Sequence, residues 1–397
     1  MEGRLKILLV DDEEDRLNQW KRQLAAQSCL AGATVNGRND IDQLLRLLWG
    51  RRKEARSTAS DDYSGHELDE TDILIIDHDL GPQSSSGAEV AYLARCFSRC
   101  GLILLMNLIG ENVFDLHLHP TMELFADLEI GSAQISNPGL WGGDWPDFRP
   151  WSWPNAFEAV DQLRQRSRAV AESVDKPFLT TIGLHEDDAG LLPRAVVDHL
   201  WKGSEDKTTD LAEITFRDLA AAGRGILRRK DAVPEPALAR VLASRVGAWL
   251  EGFVLGGQEV LVDAPHLALR LPSLFTAGGS EQPDLRSTIH YGWSEASSTG
   301  SQALADALFP QNGWLSRPAW KWRRIQNDGR VAEVASPFGA RDLDTVFCED
   351  RSQFMDRSTA KTFKADLGTP FDRRWMAGPT GEGFGAGVIY LPAQRLL

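Results

Sequence analysis

Three short apolar runs, each closed by a polar side chain, constrain this chain most. Residues 5–10 (LKILLV) run into Asp11 and Asp12, residues 73–76 (ILII) into Asp77, and residues 102–106 (LILLM) into Asn107. Such runs, rich in Ile, Leu and Val, suit strands buried on both faces. Helical periodicities lie between them. Leu17, Trp20 and Leu24 recur at helical spacing behind Glu13, Glu14 and Asp15, acids that favour a helix N-terminus. Residues 33–35 read as a weaker strand. Asn39 or Asp40 can then cap a helix with Ile41, Leu44, Leu45 and Leu48 on one face, and residues 88–95 read as another. Alternating buried strands and helices imply right-handed βαβ units and a parallel sheet. Ligands of such sheets bind beyond the carboxyl ends of the strands, where these polar residues fall.

The chemistry follows from charge. Carboxylates crowded into one cleft repel, so they either raise a pKa or bind a hard cation. Mg²⁺ takes one or two carboxylates and phosphate oxygens while keeping several waters. An aspartate beside such an ion can attack a phosphoryl group.

The segments ILLVDDEE, ILIIDHDLG and LILLMN resemble the receiver domain of bacterial two-component response regulators. The resemblance implies an α/β, flavodoxin-like fold, a doubly wound parallel five-stranded sheet. It implies that Asp11 and Asp12 form the acidic pair that holds Mg²⁺, with Asp12 the more direct ligand. Asp77 matches the phospho-accepting aspartate, and Asp79 the position that supplies a backbone carbonyl to the metal. Leu80-Gly81 stands where the family has Leu-Pro, and Gly87 matches the glycine that opens the third helix. Asn107 falls at the switch position, where the family has Thr or Ser. The family's Lys-Pro pair after the fifth strand is best matched by Arg149-Pro150, with residues 145–148 as that strand.

The departures are two insertions, near residues 50–71 and 110–143, and the Asn and Arg substitutions. A guanidinium is not interchangeable with an ammonium. The resemblance implies phosphotransfer from a histidine kinase, or a link to another signalling protein, with two copies pairing through the receiver-like face. The departures keep open a phosphorylation-independent pseudo-receiver that acts as an interaction scaffold.

Residues 1–168 thus read as the receiver-like unit and 169–397 as an unrecognised α+β part, helical over 190–310 and β-rich over 314–397. Helices are expected over 193–201, from Thr208 or Thr209 to 222, and over 236–255. The last has Leu238, Val241, Leu242, Val246, Trp249, Leu250 and Phe253 on a broad face before Gly256-Gly257. Residues 320–325 and 331–334 read as a hairpin across 326–329. Further short strands are expected at 345–348, 362–365, 373–376 and 388–391.

Several groups, most of them in this second part and one pair, His117 and His119, in the receiver-like part, carry chemically capable side chains. His185-Glu186-Asp187-Asp188 reads as an acidic helix start. Trp320-Lys321-Trp322-Arg323-Arg324 reads as a half-buried strand with a solvated basic face rather than a single-strand binder. His117 with His119 lacks a third metal ligand. Asp263, His266, His290 and Cys348 would carry an enzyme only if they converged, which is the third reading of the chain.

A net charge of −14 argues against a large nucleic-acid surface. Four cysteines without zinc spacing are no disulfide framework, and no apolar stretch approaches the ~20 residues of a membrane span. No leader is evident at the start, so a reducing cytoplasm is the expected setting.

Overall fold

The computed structural model describes residues 5–55, 65–81, 86–107, 113–114, 124–142, 155–201, 211–223, 226–227, 233–270, 299–310, 313–316, 318–329, 345–348, 353–362, 375–376 and 389–390. The N-terminal elements run β1 (Lys6–Val10), α1 (Glu14–Ala25), β2 (Thr34–Arg38), α2 (Ile41–Ala55), β3 (Ile73–Asp77), α3 (Gly87–Phe97) and β4 (Leu102–Asn107). They are followed by the two-residue β5 (Val113–Phe114), β6 (Leu128–Gly131) and α4 (Ala156–Ala171). Five strands form one all-parallel sheet in the order β2-β1-β3-β4-β6.

The alternation along the strands explains the layering. Ile7 and Leu9 join Ile73, Ile75, Leu102, Leu104 and Met106 beneath Leu17, Trp20 and Leu24 of α1 and Ala156 and Val160 of α4. Leu8 and Val10 join Leu74, Ile76, Ile103 and Leu105 on the other face, under α2 and α3. Period-two strands sandwiched between helices bury both sets, which is why the runs are apolar throughout.

Two expectations need correction. The stretch read as an insertion from near residue 50 begins as helix, since α2 runs to Ala55. Its Arg51 and Arg52 are buried. The Arg51 guanidinium donates to both oxygens of Asp69, at 3.0 and 2.6 Å, and to the Phe97 carbonyl at 3.1 Å. A charged pair of arginines reads as solvent-facing until its partners are known. The sheet's fifth strand is Leu128–Gly131, inside the stretch read as an insertion. Four residues with one acid give a weak strand signal, yet Leu128 and Ile130 both enter the α1/α4 core. Residues 145–148 lie outside the described residues.

Past α4 come α5 (Phe178–Ile182), α6 (Glu186–Ala189), α7 (Arg194–Leu200), α8 (Phe216–Ala222) and the long α9 (Glu235–Trp249). Thr215 rather than Thr208 or Thr209 caps α8: its hydroxyl accepts from the Asp218 N–H at 3.1 Å. α9 packs against both α3 and α4. The Ser244 hydroxyl donates to Asp127, just ahead of β6, at 2.7 Å. A helix from far downstream is therefore tied to the helices and to the edge of the sheet at β6. One apolar cluster accordingly runs from Leu8 through Val241 and Trp249 to Ala319. The boundary placed at residue 168 falls within α4.

The rest is built from small sheets. β7 (Leu261–Asp263) pairs antiparallel with β8 (Ala319–Lys321), and α10 (Ala264–Arg270) follows β7. This replaces the hairpin expected for residues 320–334: the strand ends at Lys321, and Trp322–Gln326 is helical. The expected solvated basic face holds at Arg323, which is exposed, but not at Lys321. Lys321 is buried, with Nζ 2.9 Å from Asp188 Oδ2. Finally β9 (Thr345–Cys348), β10 (Gln353–Asp356), β11 (Lys361–Thr362) and β12 (Trp375–Met376) form a four-stranded sheet, order β10-β9-β12-β11.

Candidate functional site at the carboxyl end of the sheet

The strand order reverses between β1 and β3, so the crevice of a doubly wound sheet lies beyond their carboxyl ends. Asp11 directly follows β1, and Asp77 is the last residue of β3. Both are buried, at 0% and 1% exposure, where an unpaired charge would be costly.

One guanidinium sits between them. Arg16, in the first turn of α1, pairs through Nη1 with Asp77 Oδ2 and holds Nε 3.4 Å from Asp11 Oδ2. Its Nη2 reaches Glu13 at 2.8 Å. Asp11 Oδ1 accepts the Glu13 N–H at 2.8 Å, which fixes the turn into α1. Asp77 Oδ1 and Asp11 Oδ2 are buried without a hydrogen-bond partner.

Burial sets the titration. It pushes Asp77 up to about 6, against the opposing pull of Arg16 and the His78 N–H. It pushes Asp11 up to about 7, against the Glu13 N–H and Arg16. Burial alone would lower the Arg16 pKa; Glu13, Asp11 and Asp77 outweigh it and raise it.

The turn after β3 is shaped by two glycines. Gly81 has φ +82°, and a Cβ there would press on the Asp12 carboxylate. Its N–H donates to Asp79 Oδ1 at 3.3 Å. A Cβ at Gly87 would fall on the Asp77 carbonyl oxygen, so α3 can start this close to β3 only with glycine there. Asp12 and Asp79 are exposed at the mouth of the crevice. Asn107 ends β4 half-buried, and its Nδ2 donates to Glu129 on β6 at 3.4 Å.

The structure thus brings Asp11 and Asp77 together, with Asp12 and Asp79 at the rim and Asn107 two strands from Asp11. Arg149 lies outside the described residues. The residue directly after the fifth strand is Ser132. Sequence reasoning missed Arg16. The available signal was a lone basic residue closing the acidic run at residues 11–15, at the start of a helix.

The donor set suits Mg²⁺. It is all oxygen, and the two atoms without a hydrogen bond, Asp11 Oδ2 and Asp77 Oδ1, are those a cation would take. As the side chains stand, no group of three or more His, Cys, Asp or Glu converges to hold a metal among the described residues. Arg16 fills that role electrostatically.

Other groups resolve into structure. His185 and Asp188 form a capping box at α6. Asp263 accepts the His266 backbone N–H and pairs with its ring at the start of α10. Trp320 and Trp322 are buried rather than presented for stacking. His117, His119 and His290 lie outside the described residues. A cavity of about 40 Å³ between β6, α4 and α9 has room for a water or two.

No protein-family model matches the chain, and neither a curated protein nor a solved structure matches it. Among the described residues no helix is long and apolar enough to cross a membrane.

Proposed function

We propose that the N-terminal part is a flavodoxin-like, receiver-like signalling unit that accepts a phosphoryl group on Asp77 and relays the change to the helices packed on its sheet. The observation that carries this reading is the place of Asp77 and Asp11. They sit side by side at the carboxyl ends of β1 and β3, where the strand order reverses. Asp77 is the acceptor because it ends the central strand, beside Asp11 and the Asn107 strand.

The step is an in-line transfer. An Asp77 carboxylate oxygen attacks the phosphorus of a phosphohistidine on a kinase, the N–P bond breaks, and the imidazole leaves and takes a proton. Asp11 and Asp77, with Asp12 at the mouth, would hold Mg²⁺, which neutralises the phosphoryl oxygens when bound. Asn107 Nδ2 is a donor on the neighbouring strand that can turn from Glu129 toward a phosphoryl oxygen. The added charge then biases the β4–β6 edge on which α9 rests.

One observation favours a second reading, the phosphorylation-independent pseudo-receiver. Arg16 already pairs with both carboxylates, and Ser132 rather than a cation follows the fifth strand. The two separate cleanly. Incubation of the full chain with Mg²⁺ and a small acyl phosphate, read by intact mass, is expected to add one phosphoryl group that Asp77→Asn abolishes. No gain in the unmodified chain would leave the scaffold reading.

A further inference from the structure

We propose that Arg16 is a resident counter-ion that gates the acidic pocket. Its guanidinium competes with a divalent cation for Asp11 and Asp77, and cation uptake requires it to swing out to the mouth. The inference rests on reading the pocket as a Mg²⁺-assisted phosphoryl site, and it names how that site is regulated.

The geometry supports it at three points. Arg16 bridges both buried carboxylates, so any cation that takes Asp11 Oδ2 and Asp77 together must displace or repel it. Two ionised carboxylates keep one negative charge uncompensated beside a single guanidinium, whereas a divalent ion in its place would balance both. The Arg16 side chain is still 18% exposed, and its third contact, Glu13, is 60% exposed at the rim. An outward rotamer therefore keeps an acidic partner while it vacates the pocket. Breaking a buried pair by removing one member strands a charge, so the pocket stays closed until another cation arrives.

The arginine also explains why the pocket's acids fail to converge as a set of three. With the central pair satisfied by Arg16, Asp12 rests against the Gly81 turn instead of turning inward. Loss of Arg16 would leave two buried carboxylates with a shared need for positive charge. The pocket would then become a divalent-cation site of ordinary hard-oxygen type.

The test is calorimetric titration of the full-length protein with Mg²⁺ alone. Arg16→Gln is expected to bind Mg²⁺ about ten-fold or more tightly than the unmodified chain. Its melting temperature should rise on Mg²⁺ addition by more than that of the unmodified chain. Adding Asp77→Asn should remove the gain. Equal or weaker Mg²⁺ binding by a folded Arg16→Gln would overturn the proposal. Should that variant not fold, Arg16→Lys reads the same quantity: a point charge cannot bridge as a planar fork does, so tighter Mg²⁺ binding is expected and unchanged binding overturns the gate. Tight Mg²⁺ binding without phosphoryl uptake by any variant would keep the gate and remove the phosphoryl-acceptor reading. Uptake by the unmodified chain, with Mg²⁺ affinity unchanged by Arg16→Gln, would do the reverse.

Discussion

A Cβ at Gly87 would fall on the Asp77 carbonyl oxygen and crowd the His78 Cα. Both atoms are backbone and cannot rotate away. Gly87→Ala is therefore expected to cost about 1–3 kcal/mol in urea unfolding and to distort the turn that carries Asp79. An unchanged midpoint would show that α3 can retreat from β3. The two carboxyls make a separate claim. Folding raises Asp11 to about 7 and Asp77 to about 6, from an ordinary 3.8. The folded state then holds protons more tightly than the unfolded chain, so this contribution is full below about pH 4 and is lost as pH rises through about 6 to 7. In divalent-free buffer the melting temperature should fall between about pH 5 and pH 8. Asp11→Asn should raise it at the alkaline end and flatten the slope. A slope that the variant leaves untouched would contradict this assignment. Asp11, Asp12, Asp77 and Asn107 were legible from the chain because each closes an apolar run. Arg16 was not, because a helical arginine beside three acids reads as an exposed ion pair until the fold turns it inward.

At the scale of elements, Arg240 ties α9 to the turn between α3 and β4. The Arg240 guanidinium donates to the Ser98 carbonyl at 3.1 Å, the Cys100 carbonyl at 3.2 Å and the Arg99 carbonyl. Burial lowers its pKa to about 10, so it stays charged near neutral pH. Asp127 completes the tie. It accepts from Arg95, from the Ile103 N–H at 2.8 Å and from Ser244 of α9. Arg240→Ala should cost about 2 kcal/mol, since it removes charge-assisted bonds and strands carbonyls. Amide exchange should then quicken in α3 and α9 together. Quickening confined to α9 would show that the two do not move as a unit. β1, α1, β3, α3 and β4 were legible from periodicity almost to their ends. β6 was not, because its four residues carry too few apolar positions to stand out. The end of α2 was hidden for the opposite reason, since Arg51 and Arg52 are charged and buried at once.

Across the whole molecule, the apolar face of the sheet under α3 is continuous with α9 in one buried cluster, and α9 packs on α3 and α4. A fragment ending at residue 168 would expose that apolar face, and it should bind hydrophobic dyes and give a poorly dispersed amide spectrum. A well-dispersed spectrum would show that the sheet is self-sufficient. This dependence was out of reach of the sequence. The amphipathic face of residues 236–255 was evident, but its partners, α4 and the more distant α3, lie far upstream in the chain, and no local pattern names them. The same packing links the strand beside Asp77 to α9 by contact: Asn107 donates to Glu129 on β6, and Asp127, just ahead of β6, accepts from Ser244 of α9. The proposed function depends on Asp77 being the group that reacts. The direct measurement is to treat the full-length chain with Mg²⁺ and an acyl phosphate, reduce the product with borohydride, and locate the altered residue by peptide mass. The expected product is the reduced aspartate, now an alcohol, at residue 77. A label at any other residue, or none with Mg²⁺ saturating the pocket, would contradict it.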